Sequence, residues 1–258
     1  MNKRKLIQAV SGFLLGLLGV ILVCLTRANA IAQDAPLGSK LLFILGLLGI
    51  LLGVLILAVG LLSGRRQTDI RTVTMSAMFA ALCYVGFAFF QIKIPVGDSA
   101  TSFHLGNVFC VLASLCIGPL WGGLAGAVGM SIGDLFDPVY ITSAPKTFLL
   151  KLCIGLLSGL VAHKLFRISQ DRERKVPLAV ATVLSCSAGM AFNIVADPLV
   201  GYLYKMYVLG IPQDAATILA KIAAVTTSVN AVIAVIAASI FYLALRPILK
   251  RSQLLPKL

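Results

Sequence analysis

Charge is what this sequence has least of. Lys, Arg, Asp and Glu together make up 12% of its 258 residues, about half the share found in an ordinary soluble domain. Hydrophobic residues make up 59%, and the mean hydropathy is +1.00. That balance excludes a water-soluble globule, and it excludes a disordered chain, which needs low hydrophobicity. Acidic residues are the scarcest of the charged ones, nine against 22 Lys and Arg, for a net charge of +13. The six cysteines (Cys24, Cys83, Cys110, Cys116, Cys153, Cys186) all fall inside apolar runs. With no CxxC pair and no histidine at ligand spacing, neither a disulfide framework nor a zinc site is indicated, which leaves small buried hydrophobes. A GxxxxGK[ST] phosphate loop is also missing, so the chain has no standard cradle for nucleotide phosphates.

What the sequence has in abundance is long apolar runs. A bilayer core about 30 Å thick needs roughly 20 apolar residues per helix, and that ruler finds eight candidates, at 6–25, 40–62, 72–90, 103–118, 119–136, 147–166, 177–206 and 216–245. The first follows Lys3, Arg4 and Lys5 and precedes Ala28-Asn29-Ala30, in the style of a cleaved secretory signal. Its apolar stretch is longer than the roughly 7–15 residues of a signal core, so it reads as a span.

Basic residues set the orientation. With the N-terminus inside, the cytoplasmic side collects Lys3, Arg4, Lys5, Arg65, Arg66, Arg71, Lys164, Arg167, Arg172, Arg174, Lys175, Arg246, Lys250, Arg251 and Lys257. Arg27, Lys40, Lys93, Lys146, Lys151, Lys205 and Lys221 fall outside or in the outer halves of spans. The positive excess is thereby read as topology in a multi-pass cell-membrane protein with both termini cytoplasmic, and no nucleic-acid partner is called for.

The first two spans are nearly free of polar residues, and each carries a GxxxG, Gly12/Gly16 and Gly49/Gly53, that lets helix backbones approach closely. Ser63-Gly64-Arg65-Arg66-Gln67-Thr68-Asp69 is the one clear polar break. The expected architecture is all-α: a two-helix accessory hairpin over 1–64, then a six-helix core over 65–258.

Polar groups at membrane depth are expensive and usually mark a substrate path or a buried pair. In the core they concentrate. His104 and Asn107 open one span, Asp134 and Asp137 close the next, Lys146 and Lys151 begin another, Asn193 and Asp197 lie late in the seventh, and Lys221 lies early in the last. All map to the outer half of the membrane, which predicts a cup open to the outside and not a through-going pore. Asn193 and Asp197, four apart, share a helix face, as His104 and Asn107 do at three apart. The segment Asp98-Ser99-Ala100-Thr101-Ser102 reads as an extracellular loop folding over the cup. Lys146 and Lys205 also suit snorkelling to the headgroups, and Tyr140, Tyr202 and Tyr204 an interfacial belt.

Gly118, Gly122 and Gly126 recur at four-residue spacing in the run from Gly118-Pro119 to Gly133-Asp134, a stripe that allows close helix packing. Together with Ser143-Ala144-Pro145-Lys146-Thr147-Phe148 and the motif Ala77-x-x-x-Ala81, this run resembles the substrate-binding S components of energy-coupling factor (ECF) vitamin transporters over roughly residues 70–250. The resemblance implies a six-helix core that binds a small water-soluble vitamin or precursor from outside, capped by the loop at about 91–103. It implies a separate transmembrane coupling subunit docked on Ala77 and Ala81 and riding on two ATPase subunits, so that ATP is used by the partners and no cofactor resides in this chain. Ligand contacts would come from the loop and the outer halves of the last three helices, including Lys151, Asn193, Asp197 and Lys221. A solitary proton- or ion-coupled secondary transporter, with Asp134 or Asp197 as the proton-linked acid, is the competing expectation, although the two halves of the core show no inverted repeat. A membrane hydrolase would need a nucleophile and base in reach of each other, and neither Ser131 nor Ser143 sits in a recognisable motif.

Overall fold

The computed structural model describes residues 11, 15, 18, 70–96, 99–170, 176–252 and 254. The chain divides into two compact units, Met1–Gln67 and Thr68–Leu258. The expected hairpin over 1–64, with its two spans and GxxxG pairs, lies outside the described residues except for three helical positions, Ser11, Leu15 and Leu18.

The second unit runs α1 (Ile70–Ala88), β1 (Gln91–Val96), β2 (Ser99–His104), α2 (Gly106–Ile117), α3 (Pro119–Leu135), α4 (Ala144–Leu160), α5 (Leu178–Tyr207) and α6 (Gln213–Arg251). A 3-10 turn, Ile141–Ser143, leads into α4, and a π turn, Val161–Leu165, continues it. Helices suit these runs because each satisfies its own backbone groups where no water is available. Proline and glycine punctuate them. Gly118 takes φ 93°, a left-handed value that favours glycine, and Pro119 opens α3 where its missing N–H is no loss. Gly210 at φ 68° does similar work between α5 and α6.

Two expectations need correction. Four helical stretches are long and apolar enough to cross a membrane: Ile70–Ala88, Ile141–Leu165, Leu178–Tyr207 and Gln213–Arg251. The runs read as spans over 103–118 and 119–136 are shorter helices. α2, with 12 residues, is about 18 Å long, well under the bilayer core, because Gly118 turns the chain at one end and His104 is drawn into a strand at the other. The second correction concerns 91–103, read as a loop in an all-α chain. It forms an antiparallel hairpin, paired from Gln91↔His104 to Val96↔Ser99. β-Branched Ile92, Ile94, Val96 and Thr101 suit a pleated pair. The intervening residues 97–98, and with them the candidate site residue Asp98, lie outside the described residues.

The glycine run of α3 serves three neighbours at once. A methyl on Gly122 or Gly126 would collide with Ser114 and Cys110 of α2. One on Gly123 would sit 2.9 Å from the Leu152 carbonyl oxygen of α4, and one on Gly129 or Gly133 would collide with Ala80 or Phe87 of α1. Gly155 and Gly159 of α4 return the contact, facing Gly123 and Pro119. Small residues thus let α1, α2 and α4 close on α3 almost backbone to backbone. α2 is sheathed by α1, α3, α4 and α6, and every one of its residues except Phe109 is buried. Cys83, Cys110, Cys116 and Cys186 are free and buried in this core, as small apolar side chains are.

Candidate substrate-binding site

At the end of the bundle where α1 finishes and α2 begins, the helices leave a cavity of about 140 Å³. The β1–β2 hairpin covers one side, and the late part of α5 and the early part of α6 close the other. Its walls mix apolar side chains, Phe87, Leu150, Leu219 and Ile222 among them, with a concentrated set of polar ones.

Six of the candidate ligand residues line it: His104, Asn107, Asp134, Lys151, Asn193 and Asp197. His104 and Asn107 reach it from different elements, since His104 ends β2 and Asn107 sits in the first turn of α2, so the shared helix face expected for them does not exist. Asn193 and Asp197 both reach it from α5, four residues apart. Lys221 does not contribute. It is exposed on α6, whereas Ile222, Ala223, Thr226, Thr227 and Asn230 form that helix's cavity face; helical rotation of about 100° per residue carries Lys221 away from them. Ala77 and Ala81 lie exposed on α1 and are no part of the lining.

The ionic residues separate into a locked pair and a free group. The Lys146 ammonium donates to Asp197 Oδ1 at 3.0 Å, and the Thr227 hydroxyl donates to Asp197 Oδ2 at 3.0 Å, so both carboxylate oxygens are occupied. Lys146 therefore pairs inside the site and does not snorkel. Lys151 is buried on α4, 7% exposed. It makes no ion pair or side-chain hydrogen bond among the described residues. Around it, buried polar atoms stand without a hydrogen-bond partner: Asn107 Oδ1, Asn193 Oδ1, Asp134 Oδ2 and His104 Nδ1. Buried polar groups are nearly always satisfied, so several orphans on one cavity describe a surface shaped for something else to complete. Three of the four are acceptors and Lys151 is a donor. Burial, reinforced by the nearby Lys151 charge, pushes the His104 imidazole down to about 3. The ring is neutral at physiological pH, and it packs edge-on against Phe87 with centroids 5.0 Å apart.

The hairpin is tied down on both edges. The Asn230 side chain of α6 accepts from the His104 N–H (3.1 Å) and donates to the Ser102 carbonyl (3.0 Å), while Thr101 and Thr226 hydroxyls meet at 2.7 Å. On the other strand, Lys93 pairs with Asp137 at 2.5 Å and lies 5.8 Å from the centre of the Tyr140 ring. Tyr140 lines the cavity and so is more than an interfacial ring; the Tyr204 hydroxyl ties α5 to the Thr142 carbonyl at 2.6 Å.

Thr226, Thr227 and Asn230 line the cavity and are absent from the sequence reading, whereas Lys146 is in it as one of the outer-half polar groups, with snorkelling as the alternative. Their signal was available: Thr226, Thr227 and Asn230 recur at helical spacing in an otherwise apolar run, on one face. Among the described residues no cluster of His, Cys, Asp or Glu is placed to hold a metal ion.

No curated protein and no solved structure matches the chain. A family model does match: that of the ECF-type riboflavin transporter, S component, over residues 67–247.

Proposed function

We propose, from the premise that the chain belongs to the ECF-type riboflavin transporter S-component family, that its cavity binds riboflavin and that the loaded subunit hands the vitamin to an ATP-driven coupling module. Members of that family are transporter subunits for a vitamin, not enzymes, and the apolar helices place this one in a membrane. The observation that supports a ligand of this chemistry is the unsatisfied ring of Asn107, Asn193, Asp134 and His104 around the free Lys151 ammonium. A flavin offers carbonyl oxygens and ring nitrogens for Lys151, and an imide N–H and a polyol tail for the three acceptors. Phe87, Leu150, Leu219 and Ile222 offer apolar cover to its ring system, the usual division of labour in a small-molecule site.

Purified protein titrated with riboflavin in detergent tests the reading. Saturable binding, weakened by Asn193→Ala and by Lys151→Ala, is expected. Absence of binding, with no vitamin-class molecule released from the purified protein on mass spectrometry, overturns it.

The coupling subunit is expected to dock on α1. Val73, Ala77, Ala81 and Val85 recur every four residues there and all are exposed, a small-residue stripe of the kind that membrane helices pack against. Ala77→Trp and Ala81→Trp should abolish co-purification with the coupling subunit and its ATPases while leaving riboflavin binding within about twofold of the parent. Undiminished co-purification refutes that placement.

A further inference from the structure

We propose that Asn230 is a positioning residue of the site, acting on the ligand through His104. The inference rests on the reading above, that this cavity is where the vitamin binds.

Strand β2 has one edge paired with β1, and its other edge needs partners. In a sheet, a third strand would supply them through the amide and carbonyl of a single residue, reaching an N–H and a C=O two positions apart. No third strand exists among the described residues. The Asn230 carboxamide fills that role: its Oδ1 accepts from His104 N–H at 3.1 Å and its Nδ2 donates to the Ser102 carbonyl at 3.0 Å. A carboxamide has the same donor and acceptor pair as a peptide unit, so one side chain projecting from α6 stands in for a strand. Asn230 is 4% exposed and Ser102 8%, so little water is available to replace either bond.

This bond ends on the backbone of a residue whose side chain lines the cavity. His104 is the last residue of β2, its ring is held against Phe87, and its Nδ1 is one of the buried atoms without a partner at the cavity. With the main chain fixed by Asn230 and the ring face fixed by Phe87, the direction of Nδ1 is set before any ligand arrives. Thr226, one helical turn earlier, holds the same strand through Thr101 and otherwise bonds back to Ile222 and Ala223 of its own helix, not to His104. The two residues therefore separate fastening the hairpin from aiming the histidine.

A double-mutant cycle with His104→Ala tests this, read as riboflavin dissociation constants of detergent-purified full-length protein. Asn230→Ala is expected to weaken binding about five- to tenfold in the parent, the scale of one lost buried hydrogen bond, and by less than about twofold when His104 is already Ala. Thr226→Val, which removes a cavity hydroxyl bonded to Thr101, is expected to change binding by the same factor in both backgrounds. If Asn230→Ala fails to fold, Asn230→Asp carries the test: it keeps the acceptor for His104 N–H and loses the donor to Ser102, so its binding should stay closer to the parent than that of Asn230→Leu. Equal losses from Asn230→Ala with and without His104, or no loss at all, overturn the proposal. Failure of the parent protein to bind riboflavin would instead refute the substrate reading on which it rests.

Discussion

Replacing Lys151 with Met should make the empty protein more stable and the loaded one weaker. The ammonium is buried and has neither a carboxylate nor a hydrogen-bond acceptor of its own among the described residues. An unpaired buried charge carries a penalty of several kcal/mol in a dry interior. The Asp134 and Asp197 carboxylates of the same lining reduce it, and about 1 kcal/mol is a fair net figure for what Met would recover, since Met keeps the stem's apolar packing. In a unit of this size 1 kcal/mol is worth about 2–4 °C in melting temperature. A hydrogen bond from a charged donor to the ligand is worth about 1.5–3 kcal/mol, which converts to a 10- to 150-fold weaker riboflavin complex. The assays are thermal unfolding of the ligand-free protein in detergent, followed by Trp121 fluorescence, and calorimetric titration with riboflavin. A fall in melting temperature with the dissociation constant within twofold of the parent would refute the reasoning: Lys151 would then be a structural residue whose partner is internal.

Three further outcomes are expected. Lys146→Met leaves Asp197 with Thr227 alone, so the empty protein should lose about 2 kcal/mol, between the values of exposed and buried pairs, the opposite sign from Lys151→Met; a neutral result in thermal unfolding would mean that the Lys146–Asp197 pair stabilises nothing. Gly122→Ala forces a methyl into the Ser114 backbone and should lower stability by about 1–3 kcal/mol, whereas Gly210→Asn, in open space at φ 68°, should change it by less than about 0.5 kcal/mol; equal effects would remove the packing role of the glycine stripe. For His104, burial lowers the folded value to about 3 against about 6.5 in an unfolded chain. The unfolded state binds the proton first, so this stability is present above pH ~6.5 and is lost as the pH falls from there toward ~3. Melting temperature should decline with acidification across that window, and less steeply in His104→Gln; parallel slopes would show that the ring is protonated alike in both states.

Much of the lining of this cavity was legible in the sequence because intramembrane polarity is rare enough to stand out. Asn107, Asp134, Lys151, Asn193 and Asp197 were each visible as a polar group in an apolar run, and all of them line one cavity. Legibility ended where facing had to be known. Lys221 looks as deep as Lys151 by position, but one step of helical rotation from Ile222 puts it outside. Lys146 suited snorkelling equally well until Asp197, 51 residues away, was found beside it. Threonines and Asn230 were overlooked because hydroxyls in membrane helices commonly bond back to their own turn, as Thr226 also does to Ile222 and Ala223. The hairpin was hidden by Pro95, Gly97 and Asp98, which dominate a short segment and read as loop; its pairing depends on α6, which no local pattern reveals. Helix lengths failed for a related reason. The break at Gly118-Pro119 is legible in the sequence, where the spans divide; what is not legible is that the strand takes Phe103 and His104 from the start of the run and leaves α2 short.

The burial of α2 has a bearing on permeability. A protein that lets solute past needs a movable part with free volume to move into. Here the element beneath the cavity is wrapped by four helices and pressed against α3 at two glycines with no space even for a methyl group. Shifting α2 aside would mean parting that packed layer, so among the described residues α2 is not free to swing away as a valve. Reconstituted by itself into vesicles, it should hold its vitamin at the surface and leave the vesicle interior empty.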